Sequence, residues 1–161
     1  MIRPFEPKDI PELLEMYNYF VLNSTATFDI EPLSLETFTE KLTKIYQDFP
    51  FIVFEEDGEI LGYAYGSKFR PKPAYNTTVE STVYVKHNTQ RKKIGSLLYE
   101  ELIKQLKAAN FHIVLGVLTL PNDASVGLHE KFGFKQVAFL KQVGYKFETW
   151  LDVGFWQLDL Y

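Results

Sequence analysis

The sequence predicts a single α/β domain built on a mixed sheet. Three observations predict it: the order in which helical and strand periodicities follow one another, a strand–helix–strand unit in the second half, and no linker, repeat or low-complexity tract dividing residues 1–161. With 161 residues, 46% of them apolar, folding hides about 70% of the unfolded chain's surface. That is enough for one continuous core without disulfides or a structural metal.

The elements follow in order. Asp9-Ile10-Pro11-Glu12 reads as a capping box with proline in the first turn, where its missing N–H does no harm. The spacing of Ile10, Leu13, Leu14, Tyr17, Phe20 and Val21 then predicts a helix with one apolar face. Residues 23–29 are too rich in Ser, Thr and Asn to continue it. Ser34 is placed to cap a second helix that turns Leu35, Phe38, Leu42 and Ile45 inward. From Phe51 the pattern changes to strands, 51–54 and 60–65, joined through Asp57-Gly58, a strong short-range hairpin signal. The two prolines of Ser67-Lys68-Phe69-Arg70-Pro71-Lys72-Pro73-Ala74 forbid a central strand, leaving a loop with three cations.

The third strand, 79–85, alternates. Val79, Ser81, Val83 and Val85 face one way, and Thr78, Glu80, Thr82 and Tyr84 the other. The second face is polar for a central strand and is expected to look into a cleft. Ile94, Leu97, Leu98, Leu102 and Leu106 mark a helix running to about Ala109, and the apolar run 113–118 follows as a buried strand. Strand, helix, strand favours parallel pairing across a right-handed crossover. Pro121-Asn122-Asp123 turns the chain into a short helix, 125–132, which Gly133 can end in a left-handed cap. The remainder, 134–161, reads as strand, loop and strand, crowded with aromatics that suit a core, a pocket wall or an interface.

Composition narrows the function. No cysteine means no disulfide scaffold, thiolate metal site, redox pair or acyl-cysteine intermediate. A formal net charge of −4 argues against a general nucleic-acid surface or an anionic-membrane binder. The N-terminal residues lack an apolar targeting segment, and no stretch approaches the ~18 uninterrupted apolar residues of a membrane span. A cytoplasmic protein is expected.

The strongest local feature is 83–95, a strand running into a basic loop that opens a helix. Exposed N–H groups at a helix N-terminus, together with Arg91, Lys92 and Lys93, suit phosphate oxygens. The same spacing also suits a solvated basic loop. It is neither a Walker motif nor a dinucleotide fingerprint.

Gln90-Arg91-Lys92-Lys93-Ile94-Gly95 resembles the acetyl-coenzyme-A loop of the GNAT superfamily of N-acetyltransferases. The chain is similar in particular to the phosphinothricin (methionine sulfoximine) N-acetyltransferase-like branch. Ser24-Thr25-Ala26-Thr27-Phe28, Ala74-Tyr75, Glu80-Ser81-Thr82-Val83-Tyr84-Val85, Leu120-Pro121-Asn122-Asp123, His129-Glu130 and Asp152-Val153-Gly154-Phe155-Trp156-Gln157 carry that resemblance, in order along almost the whole chain. Two positions depart from the pattern. Lys93 stands where the loop has its first glycine, and Lys72 where the branch carries arginine, so a planar fork has become a point charge.

The resemblance implies a GNAT-like fold: a mixed, mostly antiparallel central sheet flanked by helices, with the coenzyme-A cleft beside the central strands. It implies direct acetyl transfer from acetyl-CoA, without a metal, to the amine of a small acceptor. Val83, Tyr84 and Val85 would meet the pantetheine arm. Gln90, Arg91, Lys92, Lys93, Ile94 and Gly95 would hold the pyrophosphate, Asn122 would bond near the thioester or pantetheine, and Ser96 and Ser125 are further expected cofactor contacts. Asn122 equally suits a turn or cap. Glu80 matches the branch's general base, and His129, with Tyr84 as a further donor, is the candidate acid for the leaving thiolate. Phe28, Lys72, Tyr75 and Glu80, with Arg70 nearby, are the expected acceptor contacts, suited to an acidic amino acid or analogue. A homodimer is implied too.

Two alternatives stand beside this reading. An acetylase of peptide or protein amino groups would need an open groove, which the loop 67–74 is expected to occlude. A non-catalytic coenzyme-A-binding domain would keep 90–95 without needing Glu80.

Overall fold

The computed structural model describes residues 1–89 and 93–161. Among these, seven strands form one sheet: β1 (Ile2–Pro4), β2 (Phe51–Glu56), β3 (Glu59–Lys68), β4 (Thr78–Val85), β5 (Ile113–Leu120), β6 (Lys135–Lys146) and β7 (Thr149–Asp159). Helices α1 (Ile10–Asn23), α2 (Leu35–Asp48), α3 (Ile94–Ala108) and α4 (Asp123–Lys131) lie between them. The spatial order is β1-β2-β3-β4-β5-β7-β6. β4 and β5 run parallel, joined through α3, and the other neighbouring pairs are antiparallel.

Strand alternation divides the core in two. Phe51, Val53, Tyr63 and Tyr65 pack under α1 and α2 with Leu13, Tyr17, Phe38 and Leu42. Ile52, Phe54, Ala64 and Val79 point the other way and pack under α3 with Leu98, Tyr99, Leu102 and Leu106. The hairpin turns where expected, with Asp57 and Gly58 both left-handed at φ 51° and 81°. Gly133, at φ 89°, follows α4 as its left-handed stop.

Three local expectations are corrected. Asp9 makes no side-chain cap to α1. Its carboxylate instead takes both terminal nitrogens of Arg3, at 2.8 and 2.9 Å, and the Glu6 amide at 2.9 Å. Asp9 is itself helical (φ −78°, ψ −18°), the last residue of a 3-10 turn over Pro7–Asp9, so its carboxylate closes back on Glu6 and Arg3 instead of forward onto α1. Leu35, in the first turn of α2, is 51% exposed, because the buried stripe begins at Phe38. The short helix begins two residues early, at Asp123, with Asn122 as its cap.

The late aromatics split. Phe134 and Trp156 are core, whereas Phe139, Tyr145, Phe147 and Trp150 are exposed on and beside the edge strand β6. Among the described residues no helix is long and apolar enough to cross a membrane.

Candidate active site

β4 and β5 pair only from Thr78–Ile113 to Glu80–Leu115. Beyond that point they diverge, and the gap opens into a cavity of about 670 Å³. Both faces of β4 reach it: Glu80, Thr82 and Tyr84 on the side of α1 and α2, and Ser81, Val83 and Val85 on the side of α3 and α4.

Glu80 is half-buried in this cavity. Removal from water pushes its carboxyl above the usual range, which makes it a better proton acceptor near neutral pH. Beside it, Tyr65 is pushed up to about 12 by burial. Tyr84 packs among Tyr17, Phe20 and Tyr63, and burial raises its phenol as well.

The opposite wall holds a polar chain. His129 is 5% exposed, with Nδ1 2.7 Å from the Ser125 carbonyl and Nε2 2.8 Å from the Tyr99 hydroxyl. Tyr99 also bonds Ser81 Oγ, which lies 3.2 Å from the Leu115 carbonyl. A carbonyl only accepts, so Nδ1 carries the proton and neutral His129 offers Nε2 to Tyr99. Burial lowers the imidazole pKa and favours that neutral form. His129 is therefore hydrogen-bonded at both nitrogens, and Tyr99 stands with it at the cavity wall.

The polar segment 23–29 closes the α1 side. Lys146 reaches from β6 to the carbonyls of Ser24 and Thr27, at 2.7 and 2.9 Å. Thr27 Oγ1 lies 2.8 Å from the Tyr17 hydroxyl, which donates to Asp29. Thr27 and Ala26 thereby line the cavity.

A second groove of about 430 Å³ continues from the first past Val85, Gly95, Ser96 and Leu128. Lys131 crosses its rim, donating to Ser96 Oγ at 3.1 Å. The Lys86 amide bonds Leu61 of β3, and strand alternation turns the peptide groups of Val85 and Val83 the other way, toward the gap beyond Glu80. Those peptide groups face the gap on the side where a further strand would pair with them. Lys93 keeps right-handed dihedrals at the start of α3 (φ −115°), and its carbonyl accepts from Leu97. Gln90, Arg91 and Lys92 lie outside the described residues.

The remaining expected residues fall unevenly. Gly95 and Ser96 border the groove, but the Ile94 side chain is in the core, so only its backbone can serve a cofactor. Asn122 and Ser125 line the cavity. Asn122 Oδ1 accepts the Ser125 amide at 3.1 Å, which is the cap role. Phe28, Lys72 and Tyr75 are not among the described residues lining the cavity. Phe28 lies over Gly144 of β6; Lys72 begins an exposed turn; Tyr75 stacks edge-on with Phe69 at 5.6 Å. Lys41, Tyr17, Tyr65 and Tyr99 are lining residues that motif spacing did not single out. Among the described residues no cluster of His, Asp and Glu is arranged to hold a metal ion.

Comparison with known proteins agrees with this architecture. The family described as "Acetyltransferase (GNAT) domain" matches residues 2–154. A phosphinothricin N-acetyltransferase of Streptomyces viridochromogenes is 40% identical, covering 98% of this chain and 86% of its own. An L-methionine sulfoximine/L-methionine sulfone acetyltransferase of Pseudomonas aeruginosa is 36% identical over 99% and 94%. Among solved structures, a GNAT phosphinothricin acetyltransferase of Sinorhizobium meliloti, in complex with AcCoA, superposes with a TM-score of 0.95. It is 31% identical, over 99% of this chain and 87% of that one. A sheet that parts beyond Glu80, a groove past Gly95 and this similarity along nearly the whole chain have one common explanation: the chain belongs to the GNAT acetyltransferase family.

Proposed function

We propose that the protein transfers an acetyl group from acetyl-CoA directly to the amine of a small acceptor, an amino acid or analogue of the kind named for its relatives. The observation that carries this is Glu80, a carboxylate raised by burial on one wall of a cavity whose other wall opens beside Val83 and Val85. Bound acetyl-CoA supplies the thioester. Val83 and Val85 orient its arm, and the groove past Gly95 and Ser96, with the helix start behind them, suits its phosphates.

An amine with pKa near 10 is mostly ammonium at pH 7, and freeing it costs about 4 kcal/mol. Glu80 accepts that proton, directly or through a water, and its raised pKa narrows the mismatch. Across the cavity, His129 is neutral with its proton committed to the Ser125 carbonyl, so the proton that meets the departing thiolate is that of the Tyr99 hydroxyl, which Nε2 of His129 positions. Tyr84, packed among rings, walls the acceptor side.

The direct test is thiol release from acetyl-CoA with L-methionine sulfone, methionine sulfoximine, phosphinothricin, polyamines and a peptide. Release with the amino-acid analogues is expected. Release with the peptide alone would favour protein acetylation, and coenzyme binding without release from any amine would favour a binding domain.

A homodimer belongs to the same proposal. The edge strand β6, its turn and the start of β7 expose Val137, Phe139, Val143, Tyr145, Phe147 and Trp150, the last at 62%. An apolar edge of this length is suited to cover by a second copy. Sedimentation is expected to give a dimer that Trp150→Asp dissociates. A monomer at micromolar concentration would overturn this.

A further inference from the structure

Lys41 projects from α2 to the cavity wall beside Thr27 and Ile45. Its ammonium lies 4.8 Å from the centre of the Tyr17 ring. Burial lowers its pKa, and the more distant charge of Asp29 opposes that shift without forming a contact. Among the described residues no carboxylate forms an ion pair with Lys41, and Asp29 is already engaged by the Tyr17 hydroxyl. A partly dehydrated ammonium lacking a counter-ion favours any anion that reaches it.

The rest of the lining sharpens the point. Lys41 and Glu80 are the Lys, Arg, Asp and Glu residues among the described lining, one on α2 and one on β4. Lys68, Arg70 and Lys72, the cations of the proline-containing loop, are exposed and outside that lining. Arg70 sits instead over the Phe69 ring at 5.0 Å. A molecule carrying both an amine and an anionic oxygen group finds the partner for each inside one cavity.

We propose that Lys41 binds the anionic group of the acceptor and so selects acidic amines over neutral ones. The assignment rests on the amine-acetylation reading above. The anion is a carboxylate or a phosphinate, and the experiment separates them.

Binding and turnover of three acceptors are measured with wild type, Lys41→Met and Lys41→Arg. L-methionine sulfone carries a carboxylate, phosphinothricin carries both groups, and 3-(methylsulfonyl)propylamine carries neither. Lys41→Met is expected to weaken binding and raise KM about tenfold or more for the acidic acceptors, with kcat within about threefold, while the neutral amine changes less than about twofold. Lys41→Arg, which keeps the charge, recovers part of the loss. An effect on phosphinothricin alone assigns the phosphinate; an effect on both acidic acceptors assigns the carboxylate. Equal losses on all three, or none, would overturn the proposal. Titration of the acceptors without turnover keeps the two readings apart. Lys41-dependent binding without acetylation would overturn only the acetyl-transfer reading, and Lys41-independent binding of an acetylated acceptor would overturn only this one.

Discussion

The hydroxyl of Tyr99 on α3 lies 2.8 Å from Nε2 of His129 on α4, and the far side of that ring is bound to the Ser125 carbonyl. The two contacts fix one tautomer and one ring orientation. Tyr99→Phe leaves Nε2 and Ser81 Oγ without this partner in a buried setting, a loss of about 1–3 kcal/mol. Thermal melts are expected to show the destabilisation. Activity should fall mainly in kcat, with KM for acetyl-CoA nearly unchanged. If Tyr99 only packs the core, the pH profile of kcat will be the same in both proteins.

Glu80→Gln removes the proposed base and keeps the shape. Turnover should drop about 10²–10⁴-fold, while coenzyme affinity measured by calorimetry stays within about threefold. Stability moves the other way. A carboxyl held above its ordinary pKa is one whose charged form the fold disfavours, so the variant should melt higher at pH 7. The gain shrinks as pH falls from the raised folded value toward the ordinary carboxyl value and is gone below it, where both states are protonated. Wild-type turnover in Glu80→Gln would exclude Glu80 as the base.

His129 predicts a pH dependence of stability. Its folded pKa lies below the ordinary 6.5, so the unfolded chain binds more protons as the solution is acidified through that value. Stability should therefore decline from pH 7 downward, with a slope from this residue of at most about 1.4 kcal/mol per unit. His129→Gln is expected to flatten the decline in melts taken between pH 7.5 and 5. An unchanged slope would mean that burial does not keep His129 neutral.

Gly116 on β5 lies directly against the imidazole of His129. A Cβ there would collide with Cδ2 and Nε2 of His129. Gly116→Ala should cost about 1–3 kcal/mol through overpacking and lower kcat by displacing the ring. Gly127 on α4 is the control: open space surrounds it, and Gly127→Ala should raise helix stability by up to about 1 kcal/mol. Its position at the second groove makes KM for acetyl-CoA the parameter to watch.

Much of the site was legible along single elements. The alternation of 79–85 places Glu80 and Tyr84 on one face and Val83 and Val85 on the other, because a strand has a period of two whatever surrounds it. Lys41 was not legible. In sequence it is one of several charges on α2, and only the packing of Phe38 and Leu42 beside it shows that its stem turns inward. Phe28 shows the opposite failure. A motif residue in a polar segment was expected at the acceptor, but the anchoring of 24–27 by Lys146 sets it against Gly144. The tie spans 122 and 119 residues of chain, beyond any local pattern.

Sequence alone determined the order and kind of the elements and the chemistry closed off by the lack of cysteine, while the acetyl-CoA reading came from its motifs' resemblance to a known family. These are local properties, set by periodicity, turn residues and functional-group inventory. Tertiary structure decided which side chains share the cavity. It brought Glu80, Lys41 and the Tyr99–His129 pair to one space and left Lys72 and Tyr75 outside its described lining. The reason is geometric: where two parallel strands part company depends on everything packed against them, and a cavity exists only between elements that are distant in the chain.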